Sequence, residues 1–237
     1  MKKLKVLFYS ILFLFTITFL SIIHSSFVTQ KIFQYVSQKV PLKYTLLKGT
    51  LYSGIRIVDL NYDDMIKIEE FYIKPSLLSL FVKEIFIYDL KVNKITLEDK
   101  FLDYIKNNQE EENSSEIEIP FNLYIKNFEA SLYKFDYEEY KIEEFFLKSK
   151  EINSDSKSFI SGVFDIDAKS NLGNIKTNIN LDKNNYTLKS EVNLNKDFID
   201  TNIIKTEFLD NFFIEAKGDL DKVDFSLETK KLIIKEN

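Results

Sequence analysis

Two adjacent carboxylate pairs, Glu69/Glu70 and Glu143/Glu144, and one histidine, His24, are the side chains best equipped for acid–base work in this chain. A carboxylate pair cleaves a glycosidic bond only when its members flank a cleft at about 5–10 Å. Neighbours on a strand point to opposite faces, so neither pair can do this alone. Both read as solvated positions at strand edges or slips. His24 closes an apolar run and reads as an interfacial residue. One histidine builds neither a three-His zinc site nor a His-Glu-x-x-His helix. The chain has no cysteine, which removes disulfides, thiolate metal sites and cysteine nucleophiles. Serine nucleophiles lack a histidine base beyond the apolar run, and the five glycines are too scattered for a phosphate loop. The expectation is a protein that is not an enzyme and needs no cofactor or metal.

Two sequons, Asn113-Ser-Ser115 and Asn185-Tyr-Thr187, are candidate glycan acceptors. Glu111 stands two residues before the first, as in an extended bacterial acceptor. Nucleic acid is excluded by charge: the net value is −5 and the pI near 5.2, whereas a phosphate backbone requires a basic face. What the composition does supply is 22 Phe and 13 Tyr, large side chains that favour strands.

The first element that must place these residues is N-terminal. Lys2, Lys3 and Lys5 precede an uncharged stretch, Val6 to Ile23, that continues through Ser25 and Ser26 to Phe27 and Val28. Roughly 20 such residues cross a bilayer as a helix. A cleaved signal peptide is the competing reading, but its apolar region usually runs about 7–15 residues. The expectation is an uncleaved signal anchor over residues 1–27. The early lysines hold the short tail in the cytoplasm and leave the bulk outside. Lys31, Lys39, Lys43 and Lys48 pull against that assignment, and the charge-free window from Ile23 to Gln30 partly restores it.

Apolar spacing of three to four from Phe27 to Val40 predicts an amphipathic helix ended by Pro41. The period then becomes two. Ile55 and Ile57 alternate with polar neighbours, and Leu60 and Tyr62 resume after a slip near Val58 and Asp59 that suggests a bulge. Ile66 and Ile68, then Phe71 and Ile73, follow the same style, as does the run from Leu90 to Leu97. Between them Pro75 to Phe81 reads as a short helical turn or crossover with Pro75 at its first position. Asp99 caps a short helix carrying Phe101, Leu102 and Ile105, which fades into an exposed acidic loop over 107–115. A second unit opens with Ile117, Ile119, Phe121, Leu123 and Ile125. Further strands are expected at Phe164–Ala168, Ile175–Leu181, Tyr186–Leu194, Phe212–Gly218, Val223–Leu227 and Leu232–Ile234, at antiparallel meander spacings. The division is 1–27 for tail and anchor, 28–109 for the helix and first β unit, and 110–237 for the second.

Tyr62 to Lys74 is echoed by Tyr137 to Lys148 with one residue deleted, and each predicts a hairpin with its first acidic pair at the turn. The strand-like pattern at Leu232-Ile-Ile suggests either a fragment or an open edge awaiting a partner.

Alternating apolar residues can fill a closed sandwich, or they can line an open track for alkyl chains. The stretch Leu47 to Tyr62 bears on that choice. With Gly49, Leu51, Gly54, Ile55, Ile57 and Leu60, then Ser76-Leu-Leu-Ser-Leu80 and Ile85 to Leu90, it resembles the start of TamB and AsmA-like envelope proteins. The match in order covers roughly the first hundred residues; the long run of further repeats and the C-terminal domain of full TamB-like chains are lacking.

That resemblance implies an extended antiparallel sheet curled into a β-groove behind an inner-membrane anchor, with the bulk of the chain periplasmic. It implies phospholipids as cargo between inner and outer membranes, or outer-membrane assembly with an outer-membrane barrel partner. The groove lining expected on this basis is Ile55, Ile57, Leu60, Ile66, Ile68, Phe121, Leu123, Ile125, Ile179, Leu181, Val192 and Leu194. About a dozen strands at about 4.8 Å would span on the order of 60 Å at most, a membrane-proximal piece of a bridge. A closed periplasmic interaction module remains the competing reading.

Overall fold

A computed structural model of the chain describes residues 2–80, 82, 84–108, 122–137, 140–154, 160–183, 185–195, 211–219 and 222–229. Two helices, α1 (Lys2–Ile23) and α2 (Ser26–Ser37), lead into a mainly β body. Its strands are β1 (Leu42–Lys43), β2 (Leu46–Thr50), β3 (Gly54–Tyr62), β4 (Ile66–Pro75), β5 (Glu84–Leu97), β6 (Asn122–Tyr137), β7 (Tyr140–Ser154), β8 (Ile160–Ser170), β9 (Gly173–Asp182), β10 (Asn185–Leu194), β11 (Asn211–Gly218) and β12 (Val223–Thr229). One large open sheet contains them all. From β3 to β12 neighbours follow chain order, while β1 and β2 both pair with β3.

The wholly antiparallel meander expected from spacing fails at one join, where β5 and β6 run parallel from Glu84↔Asn122 to Ile95↔Leu132. Parallel neighbours need a crossover of a dozen or more residues, and 24 separate Leu97 from Asn122, beginning with helix α3 (Asp99–Asn108). The expected boundary at 109/110 lies in this connection, and the sheet continues across it. Pro75 also departs from expectation: it ends β4 rather than starting a helix, and the 3-10 turn begins at Leu77. Without an N–H, proline cannot extend the ladder, whose register shifts between Lys74 and Pro75. Ile117, Ile119 and Phe121, most of the acidic loop, Asn113 and the strand at Leu232–Ile234 lie outside the described residues.

Helix α2 starts on a cap: the Ser25 hydroxyl accepts from the Val28 N–H at 3.3 Å. Between the helices the chain bends by 60°. Among the described residues no single helix is long and apolar enough to cross a membrane; Phe8–Ile23 and Ser26–Ser37 meet that test only as a bent pair.

Four of the slips in the two-residue rhythm share a backbone feature. Asp59, Lys94, Lys134 and Glu151 are strand residues with φ of 52–56°. Each is the second of two residues inserted between members of the apolar pattern, as in Ile57-Val-Asp-Leu60 and Val92-Asn-Lys-Ile95. The bulge expected at Asp59 takes this form with no register shift, since Val58↔Glu70 and Leu60↔Ile68 keep one alignment.

Gly49 and Gly54 flank the β2–β3 hairpin with φ of 98° and 96°. A Cβ on Gly54 would stand 2.4–2.8 Å from the Tyr72 ring and hydroxyl, and one on Gly49 would strike the Gly54 carbonyl. These glycines answer to backbone geometry.

Candidate functional site

Strand registers chain side chains into rows across the sheet. One row passes through Ile57, Phe71, Val92, Ala130, Leu147, Ile166, Thr177, Ser190, Ile214 and Leu227. A second passes through Ile55, Ile73, Leu90, Phe128, Ser149, Phe164, Ile179, Leu188, Ala216 and Phe225. A third joins Leu60, Ile68, Ile95, Leu132, Phe145, Ala168, Ile175, Val192 and Phe212. Ten strands about 4.8 Å apart carry the longer rows roughly 43 Å.

Three hydroxyls interrupt the first two rows, and each is satisfied locally. Thr177 and Ser190 bond to each other at 2.8 Å, and Ser149 donates to the Val163 carbonyl at 2.7 Å. A hydrogen-bonded hydroxyl costs far less beside an alkyl chain than a bare one.

The two ends of this face differ. At the β3 end Leu47, Ile55 and Ile57 form a closed cluster, with Ile57 only 1% exposed. Phe33 of α2, Tyr44, Leu51 and Leu60 pack against it. At the β12 end Phe225 and Leu227 are 64% and 55% exposed. Row members on the strands between are mostly half-buried. Among the described residues no second sheet covers them, so the sandwich of the competing reading does not form there.

Six expected lining residues, Ile55, Ile57, Leu60, Ile68, Ile179 and Val192, fall in the three rows. Ile55 and Ile57, however, are sealed in the cluster and line nothing open. Ile66 stands between Tyr62 and Leu97, and Leu123 between Ile85 and Ser154. Ile125, buried, joins Ile87 to Ile152. Leu181 opposes Gly162 and Tyr186, and Leu194 opposes Gly173. Phe121 lies outside the described residues. Sequence reasoning missed Phe145, Leu147, Phe164, Ile166, Leu188 and Ile214. Their alternation was visible, but only register shows that they continue the same rows.

The opposite face is charged. Lys189–Glu215 (3.0 Å), Arg56–Glu70 (2.8 Å) and Lys91–Glu129 (3.1 Å) bridge neighbouring strands, and Asn178 donates to Asp165 at 2.7 Å. A depression of about 710 Å³ opens here over β7 to β11, with Phe146 and Phe213 among Lys148, Asp167, Lys189 and Glu191. Its charged lining includes the Lys189–Glu215 and Lys176–Asp167 pairs, which sets it apart from the apolar rows.

Three of the four paired glutamates have cationic partners: Glu70 holds Arg56. Glu69 pairs with Lys94 at 2.7 Å and Glu143 with Lys169 at 2.6 Å. These glutamates occupy equivalent places in the sequence echo, and each raises its lysine above the ordinary value, first by hydrogen bonding and then by charge. The echo's hairpins sit where expected: Asp63 and Asp64 turn between β3 and β4, and Tyr137 pairs with Tyr140. His24 stacks on Tyr52 with ring centres 4.3 Å apart, and its Nδ1 lies 2.9 Å from the Leu20 carbonyl. No group of three metal-ligating side chains occurs among the described residues. Of the sequons, Asn185 begins β10 and is exposed.

Fold and face together define a class: a single open β-sheet, greasy on one side and ionic on the other, behind two bent helices. No protein-family model and no curated protein matches this chain.

Proposed function

We propose that this protein is a membrane-anchored, non-enzymatic β-groove that carries phospholipid acyl chains along its apolar face, as the resemblance to TamB and AsmA-like proteins implies. In this reading α1 sits in the inner membrane and the sheet is periplasmic. The work done is phospholipid transfer toward the outer membrane, or outer-membrane assembly with a barrel partner. One observation carries it: three apolar rows run across nine or ten strands, past the α2-covered β3 end no second sheet of the described residues lies over them, and their few hydroxyls are satisfied in place.

Apolar transfer is worth about 0.8 kcal/mol per methylene. Rungs of nearly uniform character let an alkyl chain slide with little change in free energy, which suits passive movement. The self-satisfied Thr177–Ser190 pair keeps its crossing point from becoming a polar barrier. Anchoring is supported by α1, whose Phe8, Ile11, Phe13, Leu14, Phe15 and Leu20 are exposed around its circumference. A helix apolar on all sides finds its partner in lipid or in a core.

The test is photo-crosslinking in the full chain, gently extracted in detergent. A photoreactive residue at Ile179 captures phospholipid, identified by mass spectrometry, and one at the adjacent Asn178 on the charged face does not. Capture of polypeptide alone at Ile179 would favour the interaction-module reading, to which the place of β12 at the end of the sheet among the described residues also lends support.

A further inference from the structure

We infer that α2 is an interfacial helix whose outer face lies on an anionic phospholipid surface, with Lys31 and Lys39 taking headgroup phosphates. This rests on the membrane-anchored reading and adds a second contact to it. Phe27, Lys31 and Tyr35 recur every four residues along α2 as one exposed stripe, and Lys39, in the turn just past the helix, is exposed as well. Lys31 lies over the Phe27 ring at 5.6 Å and Lys39 over the Tyr35 ring at 5.9 Å. Phe27 and Tyr35 are each 64% exposed. The other side of α2 is already committed, since Thr29 is fully buried and Phe33 packs on the Leu47–Ile57 cluster. Aromatic rings with lysines able to extend past them suit the headgroup boundary, where ring and ammonium occupy different depths.

Charge identifies the surface. Residues 1–58 hold eight Lys and Arg and no Asp or Glu, against 24 and 37 in the rest of the chain. Lys31 and Lys39 have no carboxylate partner among the described residues; Lys31 reaches only Gln34, at 3.2 Å. Among the described residues no carboxylate neutralises the stripe, and an anionic surface supplies what it lacks.

Geometry keeps the helix low. Twelve residues make a helix about 18 Å long, and a 60° bend lets it climb only about 9 Å along the α1 axis. A headgroup layer is roughly 5–7 Å deep on each side, so much of α2 stays within or beside it. The bend is held by the body of the protein: the Tyr52 N–H donates to the Ile23 carbonyl at 3.2 Å, and the His24 ring stacks on Tyr52.

The chain has no tryptophan, so Tyr35→Trp installs a single probe on the stripe. The full chain is reconstituted in phosphatidylcholine vesicles, with and without phosphatidylglycerol, carrying bromine on the acyl chains. The expected result is blue-shifted indole emission that bromine quenches, most strongly with phosphatidylglycerol, and that loses this preference when Lys31→Gln and Lys39→Gln are added. Water-like, unquenched emission in both vesicles, from a chain that resists alkaline carbonate extraction, overturns the inference and leaves the anchor standing. Quenched emission from a chain that carbonate strips overturns the anchor and retains α2 as a peripheral contact. Unquenched emission from a stripped chain overturns both.

Discussion

The hydroxyls of Thr177 and Ser190 lie 2.8 Å apart across the β9–β10 ladder, bonded to each other inside an otherwise apolar row. Ser190 is 9% exposed, so little solvent replaces a lost partner. Ser190→Val or Thr177→Val alone strands one hydroxyl and is expected to cost about 1 kcal/mol; the double Val variant returns close to wild type. Urea midpoints of the four proteins measure this.

An aspartate in a row should interrupt the track without unfolding the sheet. Ile179 is only half-buried, so the carboxylate of Ile179→Asp can reach water, but an alkyl chain passing it would have to desolvate the charge. Bound phospholipid per protein should fall severalfold in Ile179→Asp and stay unchanged in Asn178→Asp, with both variants folded by circular dichroism. Unfolding of Ile179→Asp would point to a covered core.

Lys134 is an exposed strand residue at φ 55°. Left-handed backbone costs an L-residue about 1–2 kcal/mol, and glycine escapes this while losing some chain entropy. Lys134→Gly is expected to stabilise by roughly 0.5–1 kcal/mol, whereas Lys134→Val destabilises because a branched Cβ fits that region worst. Thermal and urea unfolding give the sign.

Gly54 carries a positive φ and the Tyr72 ring against its Cα. Gly54→Ala combines backbone strain with a steric clash and should cost more than about 2 kcal/mol. Adding Tyr72→Ala relieves the clash but not the strain, so a double-mutant cycle should show a favourable coupling.

Glu143 raises the Lys169 ammonium above the ordinary 10.5, and Glu69 does the same for Lys94. A raised folded-state value means the stabilisation is present below the unfolded lysine value and is lost as pH rises through the folded one. Both lysines are exposed, so the contribution is small. In Glu143→Gln, carbon NMR of the Lys169 side chain should show its titration move down toward 10.5, and the slight alkaline loss of stability should flatten.

Much of the architecture was legible residue by residue. The helix after the apolar run, the strands after Pro41 and the slip at Asp59 all follow from where apolar side chains recur, because a 3.6 or 2.0 period is a local property of the backbone; the helix itself stops at Ser37, short of the expected Val40 and Pro41. The Gly49 and Gly54 motif was also visible, though its cause, a hairpin closing beneath Tyr72, was not.

What needed the folded chain was every relation between strands. Alternation in β7 or β8 says which side chains share a face, yet only register puts Leu147 beside Ile166 and Thr177 beside Ser190. The parallel β5–β6 join was hidden because strand pairing is a long-range choice, made by packing after a 24-residue connection. Burial was hidden for the same reason: Ile57 and Ile179 look alike in the sequence, but α2 folds back over one and leaves the other half open. Side-chain chemistry and local period belong to the sequence; which neighbour covers a side chain is decided only when distant segments meet.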